Sequence, residues 1–371
     1  MLSCGFEKLT ITTELPQVWH FAALLSLSQN DDILVQRMSS KWTPPATEKS
    51  ISDCETILSD LLNSVSMSPK VEEFLYSVDV KEYAHLTLVW RYNSFGHHTD
   101  NNALCMFDVT SMISHSCGAS GVWHFGAEDS FCLRARVSLR PGDEISISYL
   151  GDEELFKSIP IRREKTMGWL FTCQCTRCDD YSVDFARGFR CKTCVVGSIY
   201  FDTSSESASP CDTCNSVMDE ETIQRFTDLE NQYADRVLGI EKTDTEDMEA
   251  VLREAVNLFS DMHWIIHMLE YMLCDAWKSS EPTKPLRIHY MHKRLNFLRT
   301  NFPMANYTTA WLLEELSDLH ASKSALIATK FIEQSYWLVR TLCGPDHPFT
   351  ESVQSKWEKL LSDKPDVEIR E

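Results

Sequence analysis

Two hydrophobic rhythms alternate along this chain of 371 residues. Apolar residues recur at three- and four-residue spacing through much of the first ninety positions. Trp19 to Leu27, a segment behind Ser52-Asp53 running to Leu62, and Glu72 to Val78 therefore read as short helices, with Ser52-Asp53 as the N-cap of the second. Lys41 to Ser50 contains Pro44-Pro45 and reads as a loop. From about residue 91 the pattern changes to short alternating runs. Val122 to Phe125 and Phe131 to Val137 form a predicted hairpin around Gly126-Ala127-Glu128-Asp129. Pro141-Gly142 marks a turn into the strand Ile145-Ser146-Ile147-Ser148, with Tyr149 at its end. Beyond Val217 the helical rhythm returns in segments near 219–239, 244–260, 262–278, 285–300, 307–319, 322–342 and 348–361. Prolines 282, 285, 303 and 345 punctuate them. Short loops predict antiparallel neighbours, as in helical-repeat arrays, although no strict repeat is present.

Cysteine usage adds chemistry to this outline. Cys173, Cys175 and Cys178 supply three thiols within six residues. Tetrahedral zinc takes four such ligands, and Cys117, in the small-residue loop Ser116-Cys117-Gly118, is the leading candidate for the fourth. The alternative is four unrelated buried thiols. Cys191-x-x-Cys194 and Cys211-x-x-Cys214 have the spacing of a four-cysteine zinc ribbon around a strand at Ile199-Tyr200-Phe201 and a loop from Ser204 to Pro210. Two structural zinc ions are expected. Fourteen cysteines with no secretory signal favour metal over disulfides and point to cytosol or nucleus. No apolar run is long enough to span a bilayer. The net charge of -20 argues against direct nucleic-acid binding and suits a basic protein partner such as a histone tail. His97, His98 and His124 read as structural or surface residues.

Three motifs occur in a fixed order: Ser114-His115-Ser116-Cys117, then Gly142-Asp143-Glu144-Ile145-Ser146-Ile147-Ser148-Tyr149, then Phe171-Thr172-Cys173-Gln174-Cys175-Thr176-Arg177-Cys178. Together they resemble the SET-domain protein-lysine methyltransferases, and most nearly their SMYD branch, which carries SET and MYND domains. Arg91-Tyr92-Asn93-Ser94-Phe95-Gly96 and Arg162-Arg163 are also similar to that branch, as is Leu342 to Pro348 in the tail. The resemblance implies an α+β fold. Residues 1–90 would be a helical SET insert, 91–172 a small β-rich SET core, 173–215 a post-SET zinc knuckle and ribbon, and 216–371 a TPR-like helical domain. It implies S-adenosylmethionine as methyl donor and a protein lysine as acceptor, in a monomer. Tyr149 would be the active-site tyrosine. Ser114, His115 and Phe171 would line the cofactor pocket. Asn93 and Phe95, with Tyr149, would form the lysine channel. Cys117, Cys173, Cys175 and Cys178 would hold the post-SET zinc.

Two departures accompany the resemblance. The family's Asn-His-Ser-Cys-x-Pro-Asn reads here with serine at both asparagine positions, Ser114 and Ser120. The Gly-x-Gly hairpin that grips the cofactor, and the MYND zinc module, find no counterpart: Gly5 is followed by no glycine until Gly96. The chain reads as though it begins inside the SET domain. The competing expectation is a catalytically silent, zinc-stabilised protein-interaction module.

Overall fold

The structure is a computed structural model. It describes residues 18–362 except 30, 65–66, 98, 100–102, 128–129, 180–182 and 203–206. Gly5, His98 and part of the Ser204–Pro210 loop lie outside the described residues. The chain divides into two compact units, Met1–Ile113 with Phe125–Phe131, and Ser114–His124 with Cys132–Glu371.

The first unit is helical: α1 (Val18–Ser28), α2 (Asp32–Ser39), α3 (Glu48–Ser64), α4 (Pro69–Ser77) and α5 (Val80–Asn93). Leu24, Leu58, Leu61, Leu75, Leu86 and Val89 are buried together around Tyr83. Two side-chain hydrogen bonds tie α1 to α5: His20 Nδ1 to Tyr83 Oη at 3.1 Å, and Trp90 Nε1 donating to Ser26 Oγ at 3.1 Å. The cap assigned from sequence is corrected here. Ser52 and Asp53 lie inside α3, and Thr47 opens it instead. Ser50 N donates to Thr47 Oγ1 at 3.1 Å, while Thr47 N donates to Ser50 Oγ at 2.8 Å. This reciprocal pair satisfies amide groups that the first helical turn leaves without partners. Arg91 to Asn93 form the last turn of α5. A two-residue ladder, β1 (Phe95–Gly96) with β2 (Leu104–Cys105), follows.

The second unit begins with β3 (Ser114–His115), β4 (Gly121–Phe125), β5 (Phe131–Ala135) and β6 (Ser146–Ile147), the hairpin tip 125–131 grouping with the first unit. Strands β4 and β5 pair with each other. Strand β3 runs parallel to β6, with Ser114 opposite Ser146 and His115 opposite Ile147. Helices α6 (Asp152–Leu155), α7 (Ile159–Thr166) and α8 (Thr176–Asp179) lead into an antiparallel pair, β7 (Val183–Arg190) and β8 (Ser198–Asp202).

Seven helices complete it: α9 (Glu220–Gly239), α10 (Thr245–Ala255), α11 (Trp264–Ala276), α12 (Lys284–Asn301), α13 (Tyr307–Ala321), α14 (Ala325–Cys343) and α15 (Pro348–Ser362). Their starts follow side-chain chemistry. Asp219, Asp244, Asn306 and Ser324 each accept a backbone N–H of the turn that they cap. One apolar cluster runs from Leu155, Phe156 and Ile159 through Phe189 and Phe201 to Phe226, Phe259 and Leu269. The segment after Tyr149 and the helical tail thus share a core. No described helix is long and apolar enough to cross a membrane.

Candidate functional site

The parallel pair β3–β6 sets the geometry. Ser116 N donates to Ile147 O at 3.0 Å, which carries the pairing one residue past β3 and turns Cys117 inward. Cys173 and Cys175 precede α8, and Cys178 lies in it. The four sulfurs converge: Cys117 Sγ is 3.9 Å from Cys173 Sγ and 3.6 Å from Cys178 Sγ, and all four lie within 4.8 Å of one another. Zinc–sulfur bonds of about 2.3 Å in a tetrahedron separate the sulfurs by about 3.8 Å. The donor set therefore fits a zinc ion. Hydrogen bonds from Cys117 above all hold the Cys175 thiol down at about 5 and press Cys173 lower still, while Cys117 and Cys178 are pushed up. Negative charge crowded in this way favours a cation at the centre.

Arginines surround the cluster. Arg162 is buried and points Nη2 at Cys178 Sγ (3.7 Å) and Arg177 O (3.1 Å). Arg163 Nη2 donates to Cys178 O at 2.6 Å. Arg177 joins three chain segments, donating to Cys117 O (2.9 Å), Leu155 O (3.1 Å) and Asn301 O (3.1 Å), with its guanidinium 4.7 Å over the Phe302 ring. Four thiolates around one zinc would leave two negative charges, which these cations would offset.

His115 joins the cluster to Tyr149. Tyr149 N donates to His115 Nδ1 at 2.9 Å, so a neutral ring carries its proton on Nε2. That Nε2 lies 3.4 Å from Cys117 Sγ and donates to it. The His115 ring centre is 5.3 Å from Tyr149 and 5.8 Å from Phe171, and Trp169 packs 5.5 Å from Tyr149. Burial raises the Tyr149 hydroxyl above its ordinary range, so it stays protonated at neutral pH. Leu170 takes the left-handed conformation, φ 62°, and so turns the chain between Trp169 and Phe171. A cleft of about 680 Å³ opens here, its lining including Ser114, His115, Glu144, Tyr149, Phe171 and Gln174. Its size falls within the range of cofactor pockets.

The second cluster is local. Cys191 Sγ is 3.6 Å from Cys214 Sγ, and Cys194 Sγ is 3.7 Å from Cys211 Sγ, with all four within 4.8 Å. Backbone amides of Thr193, Gly197 and Thr213 donate to the sulfurs of Cys191, Cys194 and Cys211. A Cβ at Gly197 would collide with Cys211 Sγ and Asp212 Oδ1, so this turn closes only on glycine. This donor set also fits zinc, and with four cysteines in place it leaves no open coordination position.

The structure thus brings Ser114, His115, Tyr149 and Phe171 to one cleft and gathers the eight cysteines in two sets of four. Asn93 and Phe95 belong to the other unit. There Asn93 Nδ2 donates to Trp42 O (2.8 Å) and Val89 O (3.0 Å), and Phe95 packs 5.7 Å from Phe107 and 5.2 Å from Phe131. His124 stacks edge-on against His347 at 5.1 Å. Sequence reasoning missed Trp169 and Arg177. Trp169 had a signal, an aromatic two residues before Phe171, whereas Arg177 had none beyond lying between Cys175 and Cys178.

Residues 26–150 match the family model of the SET domain. The match supports a SET-domain protein, and SET domains are in general S-adenosylmethionine-dependent lysine methyltransferases. It takes in Ser114, His115, Cys117 and Tyr149, and it ends before Phe171 and the remaining cysteines. The matched residues thus supply one cysteine of the first cluster, and the segment behind them supplies three. No curated protein matches the chain.

Proposed function

We propose that the chain is a protein-lysine N-methyltransferase of the SMYD-like type, acting on a lysine of a histone or another protein. The observation that carries this reading is the convergence of His115, Tyr149 and Phe171 on one cleft, fixed by a hydrogen bond from Tyr149 N to His115 and another from His115 to Cys117. S-adenosylmethionine, when bound, supplies an electrophilic methyl group. Phe171 and His115 offer flat apolar faces for an aromatic base. Ser114 and Gln174 offer hydrogen-bond partners, and Glu144 offers a negative charge to a cationic ligand. The apolar rings around Tyr149 favour the neutral form of an amine, which is the nucleophilic one. The protonated Tyr149 hydroxyl holds reacting groups in place by hydrogen bonding and weak C–H···O contacts rather than by taking a proton. A net charge of -20 favours a basic protein substrate.

One observation favours a second reading, a silent interaction module. Ser120, at one of the family's asparagine positions, spends its hydroxyl on Glu144 O (3.0 Å) and Ser146 N (3.0 Å). Isothermal titration of the zinc-loaded protein with S-adenosylhomocysteine separates the two. Saturable micromolar binding, with methyl transfer lost roughly a hundredfold in Tyr149→Phe, is the result expected of the enzyme. Absence of binding would leave the silent module.

A further inference from the structure

Helices α12 and α13 pack side by side within the second unit, joined by a short connection at residues 302–306. Each carries a histidine to their shared surface. His292 lies mid-way along α12 and is exposed, and His320 lies in the last turn of α13 and is half-buried. Their Nε2 atoms stand 3.4 Å apart, with the two rings inclined at 64°. For a hydrogen bond that is long, since N–H donors usually sit about 2.7–3.2 Å from their acceptors. A shared metal ion imposes the observed spacing. Zinc–nitrogen bonds of about 2.0–2.1 Å that meet at a tetrahedral angle put two ligand nitrogens about 3.3–3.4 Å apart. Neutral imidazole presents Nε2 to a metal readily.

The surroundings hold the two rings in this arrangement. Phe331 of α14 packs 5.6 Å from His292 and 5.7 Å from His320, so one apolar ring backs both imidazoles. The His320 carbonyl accepts the amides of Lys323 and Ser324, both at 2.9 Å, which fixes the end of α13. That end of a helix carries partial negative charge and favours a cation beside it. Two other groups act on His292 electrostatically. Arg299 is drawn to Gln334 at 2.6 Å, and His289, one turn earlier on α12, packs against Tyr290 at 5.7 Å. Among the described residues, sets of three or more ligand atoms occur only at the two cysteine clusters. The histidine pair therefore offers two ligands, and water fills the other positions around an ion.

We propose that His292 and His320 form a third zinc site, built from two imidazoles and water, that clasps α12 to α13. Two nitrogen ligands hold zinc more weakly than four thiolates do, so the cysteine clusters fill first. The site is separate from the cleft at Tyr149, and the proposal does not rest on methyl transfer.

The test starts from the full chain with its cysteine clusters loaded and loose metal removed on a chelating resin. Zinc chloride is then titrated in by calorimetry, and the metal bound is counted after equilibrium dialysis. One further zinc per chain is expected, at micromolar affinity. The melting temperature should rise with zinc concentration, as it does for any ligand that binds only the native state. His292→Gln and His320→Gln should each weaken that binding at least about tenfold and leave the zinc of the cysteine clusters in place. Should either variant fail to fold, the unaltered protein decides through histidine modification by diethyl pyrocarbonate, mapped by peptide mass. Added zinc should protect His292 and His320 and leave His289 as reactive as before. Absence of a third zinc at sub-millimolar concentration overturns the proposal. So does a third zinc held as tightly by both variants as by the parent, or added zinc that leaves His292 and His320 fully reactive.

Discussion

Two four-cysteine clusters sit in one chain and are built in opposite ways. The second cluster takes its cysteines as two Cys-x-x-Cys pairs on and beside a single hairpin, β7–β8. Its sulfurs are steadied by neighbouring backbone amides, and one of them, Cys214, is exposed. The other cluster draws Cys117 from 56 residues before Cys173 and sets it among the buried Arg162 and the half-buried Arg177. Closing a longer loop costs more chain entropy before any bond rewards it. The ribbon can therefore form from its own segment. The first cluster needs β3, β6, α7 and α8 already in place. A local site stabilises its own hairpin, whereas a long-range site reports on the whole unit and, through His115, on Tyr149.

That contrast is open to direct attack. The largest effect is expected from Cys117→Ser. It should remove one zinc per chain, lower stability on the order of 4–5 kcal/mol, and abolish binding of S-adenosylhomocysteine. Metal analysis, thermal unfolding and titration check the three together. A variant that keeps two zincs and a normal melting temperature would dismantle the cluster as described. Arg177→Met comes next. It leaves the carbonyls of Cys117, Leu155 and Asn301 without their donor, at a cost of about 3 kcal/mol. Urea unfolding should show that loss while the ribbon keeps its zinc. Cys214→Ser should cost less, about 2 kcal/mol, and remove the ribbon's zinc without changing S-adenosylhomocysteine affinity. If it weakens that affinity as much as Cys117→Ser does, the distinction between local and long-range sites falls. Smallest in stability is Tyr149→Phe, expected within about 1.5 kcal/mol of the parent by thermal unfolding, because only a hydroxyl is lost from a half-buried ring.

What could be read from the sequence follows the same division. Ligands that declare themselves by spacing, Cys191 with Cys194 and Cys211 with Cys214, needed no structure to be paired. Cys117 declared itself less directly, through the small-residue loop Ser116-Cys117-Gly118 and then through the resemblance, because no short spacing ties it to the other three. The seven helices behind Val217 were legible because apolar residues recur at three- and four-residue spacing between capping and proline signals, even though α11 is buried most of the way round and α12 buries Arg287 and Arg294. The start of α3 was not. Serine, aspartate and threonine all favour a cap, and only the Thr47–Ser50 exchange decides among them. Strand β7, with its charged and small residues Asp184, Arg187, Gly188 and Arg190, carries no clean alternation. Its partners are β8 and the Arg187–Glu230 ion pair at 2.7 Å.

The bond pattern around Cys117 also has a mechanical meaning. With a metal in place, Cys117 and Cys173 become neighbours across one ion, and the 56-residue span between them is shunted out of the load path. Pulled from its ends, the chain would carry tension from Cys117 through the ion to Cys173. The enclosed stretch, roughly 200 Å when extended, would stay slack until a metal–sulfur bond gave way. Tyr149 lies inside that stretch. Its strand would be among the last parts of the unit to feel a force, and its release would appear as a single long step in an extension trace.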